Sequence, residues 1–202
     1  MIDKIRGVND FVVENAKSAR AFLGALGMPV RDLGIQVIGE GSDHLAPLRE
    51  KRSLGLLSDA GCPAIADPGA TVVEAAHQEG FRVVPLVGPS SMVLALMASG
   101  LEGQRFAFCG YLPREEAERG RRIRELEQRS KRELETEIFI ETPYRNEALL
   151  GALLETCKPA TRLCVAADLT LAGETITTRT IDAWRRAKPT MGRRPAVFLL
   201  QA

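Results

Sequence analysis

Metal centres, disulfide frameworks and membrane spans each need a residue pattern that this 202-residue chain lacks. Its four cysteines, Cys62, Cys109, Cys157 and Cys164, form no C-x-x-C pair, and its two histidines, His44 and His77, are not spaced as ligands of one ion. No metal and no disulfide framework is therefore expected. No charged-then-apolar segment opens the sequence, and no apolar run approaches the roughly 18 residues that a membrane helix needs. The expected setting is a reducing cytoplasm, with no membrane partner. Charge of one sign is missing too: 27 Lys and Arg against 26 Asp and Glu leave a net charge of +1. No global field draws the chain to nucleic acid, so any RNA binding has to come from a local patch.

What remains is ordinary for a globular protein, with 45% hydrophobic and 26% charged residues, and the length suits one domain or two small ones. Residues 54–91 organise the rest. An apolar run over 54–57 reads as a buried strand that stops at Ser58, and residues 71–79 read as a helix with Val72, Val73, Ala75 and Ala76 inward, closed by Gly80. A second apolar run over 81–87 reads as another strand, stopped by Gly88 and Pro89. Strand, loop, helix, strand, loop is the pattern of a parallel α/β unit, in which ligands sit beyond the carboxyl ends of the strands.

Both loops should then share one edge. Gly61, Gly69 and Gly88 leave backbone open to a ligand, while Pro63, Pro68 and Pro89 stiffen the turns. Asp59 and Asp67 can accept hydrogen bonds from hydroxyl or amine groups. Ser90 and Ser91 stand at an N-cap ahead of a helix over 92–99, ended by Gly100, where backbone N–H groups attract anions. Two tight turns closed by Asx-type bonds would use the same residues, so the local features leave both readings open.

The run SDAGCPAIADPG (58–69), then VVPLVGPSS (83–91), GYLPRE (110–115) and IFIETPYRN (138–146), resembles the tetrapyrrole (corrin/porphyrin) methylase superfamily of S-adenosylmethionine-dependent methyltransferases. Within it the similarity is greatest to the branch containing the small-subunit ribosomal RNA cytidine 2′-O-methyltransferase. The resemblance implies two small α/β domains, residues 1–110 and 111–202, with a cofactor cleft between them. It implies S-adenosylmethionine as cofactor, held by Asp59, Ala60, Gly61, Cys62, Pro63, Ser90, Ser91, Thr142 and Ala166, and a homodimer. An RNA acceptor, methylated at a ribose hydroxyl in rRNA processing, follows from the branch; a tetrapyrrole-like or other small acceptor, and a cofactor-binding module without turnover, are the alternatives. Family members carry an earlier strand and a Pro/Gly-rich loop, so the first domain is expected to lack that element. Where the family reads E-L-T-K-x-x-E, this chain has Asp168, Leu169, Thr170, Leu171 and Glu174, which puts the usual lysine's contribution in question.

Elsewhere, strands are expected over 8–13, 31–38, 106–111, 137–140, 162–167 and 195–200, with a short strand and a helix start over 176–184. A helix over 17–26 should turn Ala21, Phe22, Ala25 and Leu26 inward, and one over 146–157 should bury Leu149, Leu150, Leu153 and Leu154. A long charged helix over 115–135 has a narrow stripe of Ala117, Gly120, Ile123, Leu126, Ser130 and Leu134. Its arginines, Arg119, Arg121, Arg122 and Arg124, read as ion-pair partners of interleaved glutamates, and no aromatics stand among them to stack bases. The compressed linker over 39–51, with Asp43 and His44, reads as a solvated loop, and 188–194 as a basic turn.

Methyl transfer mainly requires alignment of acceptor, methyl carbon and sulfur, so a conspicuous catalytic group is not needed. For a hydroxyl acceptor a base must take the proton, and Asp59, Asp67 and Glu141 are the carboxylates available, with Arg145 as a contact to an anionic acceptor. A salt bridge between Glu141 and Arg145 that fixes the turn, and packing of Tyr144, are the structural alternatives.

Overall fold

The computed structural model describes residues 1–39, 43–187 and 190–202. The chain is α/β, and it divides into two units, Met1–Ser90 and Ser91–Ala202, ahead of the expected boundary at 110/111. Parts of the linker over 39–51 and of the basic turn over 188–194 lie outside the described residues.

In the first unit α1 (Ile2–Arg6), β1 (Asp10–Val13), α2 (Ala16–Ala25), β2 (Gly34–Val37), α3 (Ala46–Arg49), β3 (Leu54–Leu57) and α4 (Ala70–Gln78) follow in order. β1 is central and parallel to both β2 and β3. All four of its residues are buried, as a strand covered on both faces requires. Phe11 and Val13 pack with Ala19, Leu23 and Met28, while Val12 packs with Leu45, Val72 and Ala76.

Two expectations fail here. α2, capped by the Asn15 side chain on Lys17 N at 2.9 Å, buries Ala19 and Leu23 rather than Ala21, Phe22 and Ala25, and Phe22 is 46% exposed. The helix is apolar on more than one side, and the sheet takes the side that presents Leu23. Among the described residues the segment 81–87 joins no ladder, and Val87 is 89% exposed. Its apolar run is a strand's run, yet Pro85 removes one N–H and no free strand edge is bonded to it.

The second unit contains α5 (Ser91–Ser99), β4 (Phe106–Tyr111), α6 (Glu116–Glu133), β5 (Thr136–Ile140), α7 (Asn146–Thr156), β6 (Arg162–Ala167), β7 (Thr175–Thr180), α8 (Ile181–Ala187) and β8 (Ala196–Gln201). The sheet order is β4-β5-β8-β6-β7, with β4 parallel to β5 and β8 antiparallel to β5 and β6. β5 and β6 thus run the same way on either side of β8, and both end at the edge where β8 begins. One face carries the larger core, with Phe139 stacked on Phe198 among Ile123, Leu126, Leu149 and Leu153. On the other face Ala95 and Leu96 of α5 cover Ile138, Cys164, Ala166 and Leu199, which is why the division falls before α5 rather than after β4.

α6 starts where Glu115 accepts from Ala117 N and Glu118 N, and it buries Ile123, Leu126 and Ser130 as its stripe implies. Leu134 departs from the stripe: it closes the helix in the left-handed conformation (φ 55°), and the turn into β5 leaves it 65% exposed. Of the four arginines expected in ion pairs, Arg121 pairs with Glu118 at 3.8 Å and Arg122 with Glu125 at 3.1 Å, while Arg119 Nη1 donates instead to Arg114 O at 3.0 Å.

Candidate cofactor and acceptor sites

β3 delivers the chain into the loop over 58–69 at the carboxyl edge of the first sheet. Asp59 is held twice: its N–H donates to Glu14 Oε2 at 3.0 Å, and its carboxylate accepts from Ser18 Oγ. The loop is therefore tied to the end of β1 and the first turn of α2. Glu14 and Ser18 were not among the sequence candidates; an acidic residue directly after a central strand was the available signal.

The two glycine loops meet. Cys62 Sγ donates to Pro89 O at 3.4 Å, and a Cβ on Gly88 would stand 3.3 Å from Gly61 O. Gly61 adopts φ +96°, open to glycine and costly for other residues. The loops thus share an edge, as expected, although 81–87 forms no strand. Ala64 and Ala66 also have positive φ, 66° and 59°, a strain of about 1–3 kcal/mol each that tends to persist at ligand sites. Among the described residues, two buried side-chain oxygens, Ser58 Oγ and Asp67 Oδ2, have no hydrogen-bond partner. Ser90 follows these contacts directly, and Ser91 opens α5 in the second unit.

In the second unit the loops after β5 and β6 and the lead into β8 are knitted together. Glu141 Oε1 accepts from Thr142 N at 2.6 Å and from Arg145 Nε at 3.0 Å, so the turn-fixing salt bridge is present. Arg194 Nε donates to Asp168 Oδ2 at 2.6 Å, and the fully buried Asn146 donates through Nδ2 to Arg194 O at 2.6 Å. Arg145 Nη1 and Asn146 Oδ1 are buried without a partner among the described residues. Asp168 and Thr170 are left-handed at φ 52° and 68°, and Glu174 accepts from Thr170 N at 2.7 Å. Leu171 is exposed. Thr142 is half-buried at this edge, whereas Ala166 has no exposed surface and lies inside the sheet's second core.

The outlying candidates are structural. Asp43 pairs with Arg49, and His44 Nδ1 lies 3.0 Å from Gln36 Oε1. Burial first, with Glu137 second, pushes the Cys109 thiol up to about 12, and burial pushes Cys157 to about 12 as well, so neither supplies a thiolate near neutrality. Among the described residues no group of three or more His, Cys, Asp or Glu could hold a metal ion, and no helix is long and apolar enough to cross a membrane.

Residues 40–184 match the family Tetrapyrrole (Corrin/Porphyrin) Methylases. The chain belongs to that family. Curated relatives include proteins named ribosomal RNA small subunit methyltransferase I from Mesorhizobium japonicum (38% identical, over 71% of this chain and 47% of the relative), Halalkalibacterium halodurans (42%, over 53% and 36%) and Xylella fastidiosa (35%, over 85% and 63%). The chain spans about half the length of most of these relatives. Among solved structures, the methyltransferase CobJ is similar with a TM-score of 0.61 at 19% identity, covering 98% of this chain and 85% of that one. Uroporphyrin-III-C-methyltransferase from Thermus thermophilus scores 0.57 at 19% identity, covering 99% and 85%. At that identity the likeness speaks for the tetrapyrrole methylase fold.

A sulfonium nucleoside fits the first-unit edge on its chemistry. Ala60 and Gly61 are exposed, Gly61 and Cys62 meet Pro89, and among the described residues Ser58 keeps an unbonded buried oxygen that a hydroxyl or amine group could satisfy.

Proposed function

We propose that this chain is a catalytic part of an S-adenosylmethionine-dependent methyltransferase whose acceptor is RNA, at a ribose 2′-hydroxyl of ribosomal RNA. The observation that carries the reading is the abutment of the loops 58–63 and 88–90, with Ser58 Oγ and Asp67 Oδ2 left unsatisfied beside them. The names of the curated relatives supply the acceptor class. When bound, S-adenosylmethionine supplies an electrophilic methyl group. The chain's own task is then to orient the cofactor and acceptor and to take one proton, and orientation can account for about 7–11 kcal/mol of barrier reduction.

Of the residues considered for proton transfer, Asp67 retains a carboxylate oxygen with no partner, whereas Glu141 already accepts from Thr142 and Arg145. Asp67 is therefore the candidate base. Asp59, bonded to Glu14 and Ser18, positions the loop.

The cofactor reading is tested by thiol alkylation. Cys62 is half-buried in the loop while Cys109, Cys157 and Cys164 are raised by burial, so native alkylation should fall on Cys62 and slow severalfold on adding S-adenosylmethionine. An unchanged Cys62 rate, together with no heat in a calorimetric titration, would remove the cofactor assignment. Transfer of labelled methyl from S-adenosylmethionine to small-subunit ribosomal RNA tests the acceptor, and labelling of a tetrapyrrole but not of RNA would reverse it.

A cytoplasmic homodimer belongs to the same proposal. Apolar side chains stand exposed in each unit, Val84 and Val87 in the first and Phe106 and Tyr111 on the edge strand β4 in the second. Sedimentation at micromolar concentration should give twice the chain mass, and a monomer there would defeat the assembly.

A further inference from the structure

The carboxyl edge of the second sheet displays an aromatic ring that no core requires. Tyr144 is 76% exposed, belongs to none of the apolar clusters, and lies under the guanidinium of Arg193, whose Cζ is 5.0 Å from the ring centroid. The two residues come from different loops, one following β5 and one leading into β8, and the network of Glu141, Arg145, Asn146, Arg194 and Asp168 holds those loops side by side. That network also decides the local charge. Arg145 is neutralised by Glu141 and Arg194 by Asp168, while among the described residues Arg193 has no carboxylate partner. The result is one uncompensated cation stacked on one exposed ring, set on a rigid base.

We propose that Tyr144 and Arg193 form a stacking platform that receives an unstacked base of single-stranded RNA, with Arg193 facing the adjoining phosphate; this rests on the RNA reading given above. Every nucleobase offers a π-face, and sequence-tolerant single-strand binding is built from exposed aromatics beside cations. One face of the Tyr144 ring is taken by Arg193, and the exposure of the side chain leaves the other for a base. Duplex RNA shows its bases only at their edges, so the platform selects unpaired segments.

The test is fluorescence anisotropy of the full chain with a labelled oligocytidylate of about ten nucleotides, within the site sizes usual for single strands. Wild type should bind. Tyr144→Ala should weaken binding at least about fivefold, the low end for loss of one stacked base, and Tyr144→Phe should stay close to wild type because the ring is kept. Arg193→Gln should weaken binding and flatten its salt dependence by about one phosphate contact. S-adenosylmethionine affinity should be unchanged in all three, which a general loss of fold would not allow. RNA that binds wild type and Tyr144→Ala equally overturns the platform and leaves the RNA reading standing. A Tyr144→Phe variant as weak as Tyr144→Ala overturns stacking in favour of a hydroxyl contact. Wild type that binds no RNA overturns both.

Discussion

Gly61→Val is expected to weaken S-adenosylmethionine binding by at least about a hundredfold while lowering stability in urea by no more than about 1–3 kcal/mol. The position is exposed, so little packing is at stake. Its φ of +96° is, however, a conformation that a β-branched residue adopts only at a cost of about 1–3 kcal/mol, and the added side chain would start 3.5 Å from Pro89 O. The loop would relax by moving its backbone away from residues 88–90, where the cofactor is proposed to lie. Gly80→Val provides the control, since Gly80 also has positive φ, at +76°, with open space around it and no part in the site. Calorimetry should find Gly80→Val binding normally. If Gly61→Val does too, the loop does not hold the cofactor.

Arg129→Leu should be the most damaging substitution for stability. Glu137 on β5 is fully buried, and Arg129 of α6 meets it with Nε 2.7 Å from Oε1 and a second bond to Oε2. Arg129 also pairs with Glu135 at 3.0 Å, and Cys109 Sγ on β4 donates to Glu137 at 3.1 Å. Removing the guanidinium leaves a buried carboxylate uncompensated, at a cost of about 3–5 kcal/mol. Glu137→Leu should cost less, because Arg129 is a third exposed and can turn to water. Urea unfolding of both single variants and the pair, read as a double-mutant cycle, checks this. A loss below about 1 kcal/mol for Arg129→Leu would show the pair to be energetically idle. The thiols add a pH signature: Cys109 and Cys157 are held near 12 in the fold against an ordinary 9.0, so the native state keeps protons the unfolded chain releases. Stability should fall as pH rises through that window.

Much of this fold was legible in the chain because its signals were local. β3, α4, α7 and β6 follow from apolar period and glycine stops, and the loop 58–69 stood out by its composition. Other features depended on partners that no local pattern names. Residues 81–87 carry a strand's composition, but a ladder needs a neighbour, and none is bonded to them. The α2 stripe was ambiguous until the sheet selected Leu23. From its loop alone Asp59 reads as a ligand contact, while its bonds to Glu14 and Ser18 span more than forty positions and form only when β1 and β3 pair. Tyr144 and Arg193 are likewise far apart in sequence, and the antiparallel pairing of β5 with β8 joins them. The absence of interleaved aromatics along α6 says nothing of a ring and a cation that two separate loops bring together.

The unladdered segment 81–87 has a colloidal consequence. Val83, Val84, Leu86 and Val87 are exposed on backbone that joins no ladder among the described residues, in the same unit as the three-stranded sheet whose outer strands are β2 and β3. Extended, apolar and unpaired backbone is the template on which chains add to one another as fibrils and precipitates do. Pro85 sits in the middle of that run with no N–H to donate, and Arg82 charges its start, so a growing intermolecular ladder is broken before it can propagate. The proline at the centre of this exposed apolar run stands where a gatekeeper of solubility is useful.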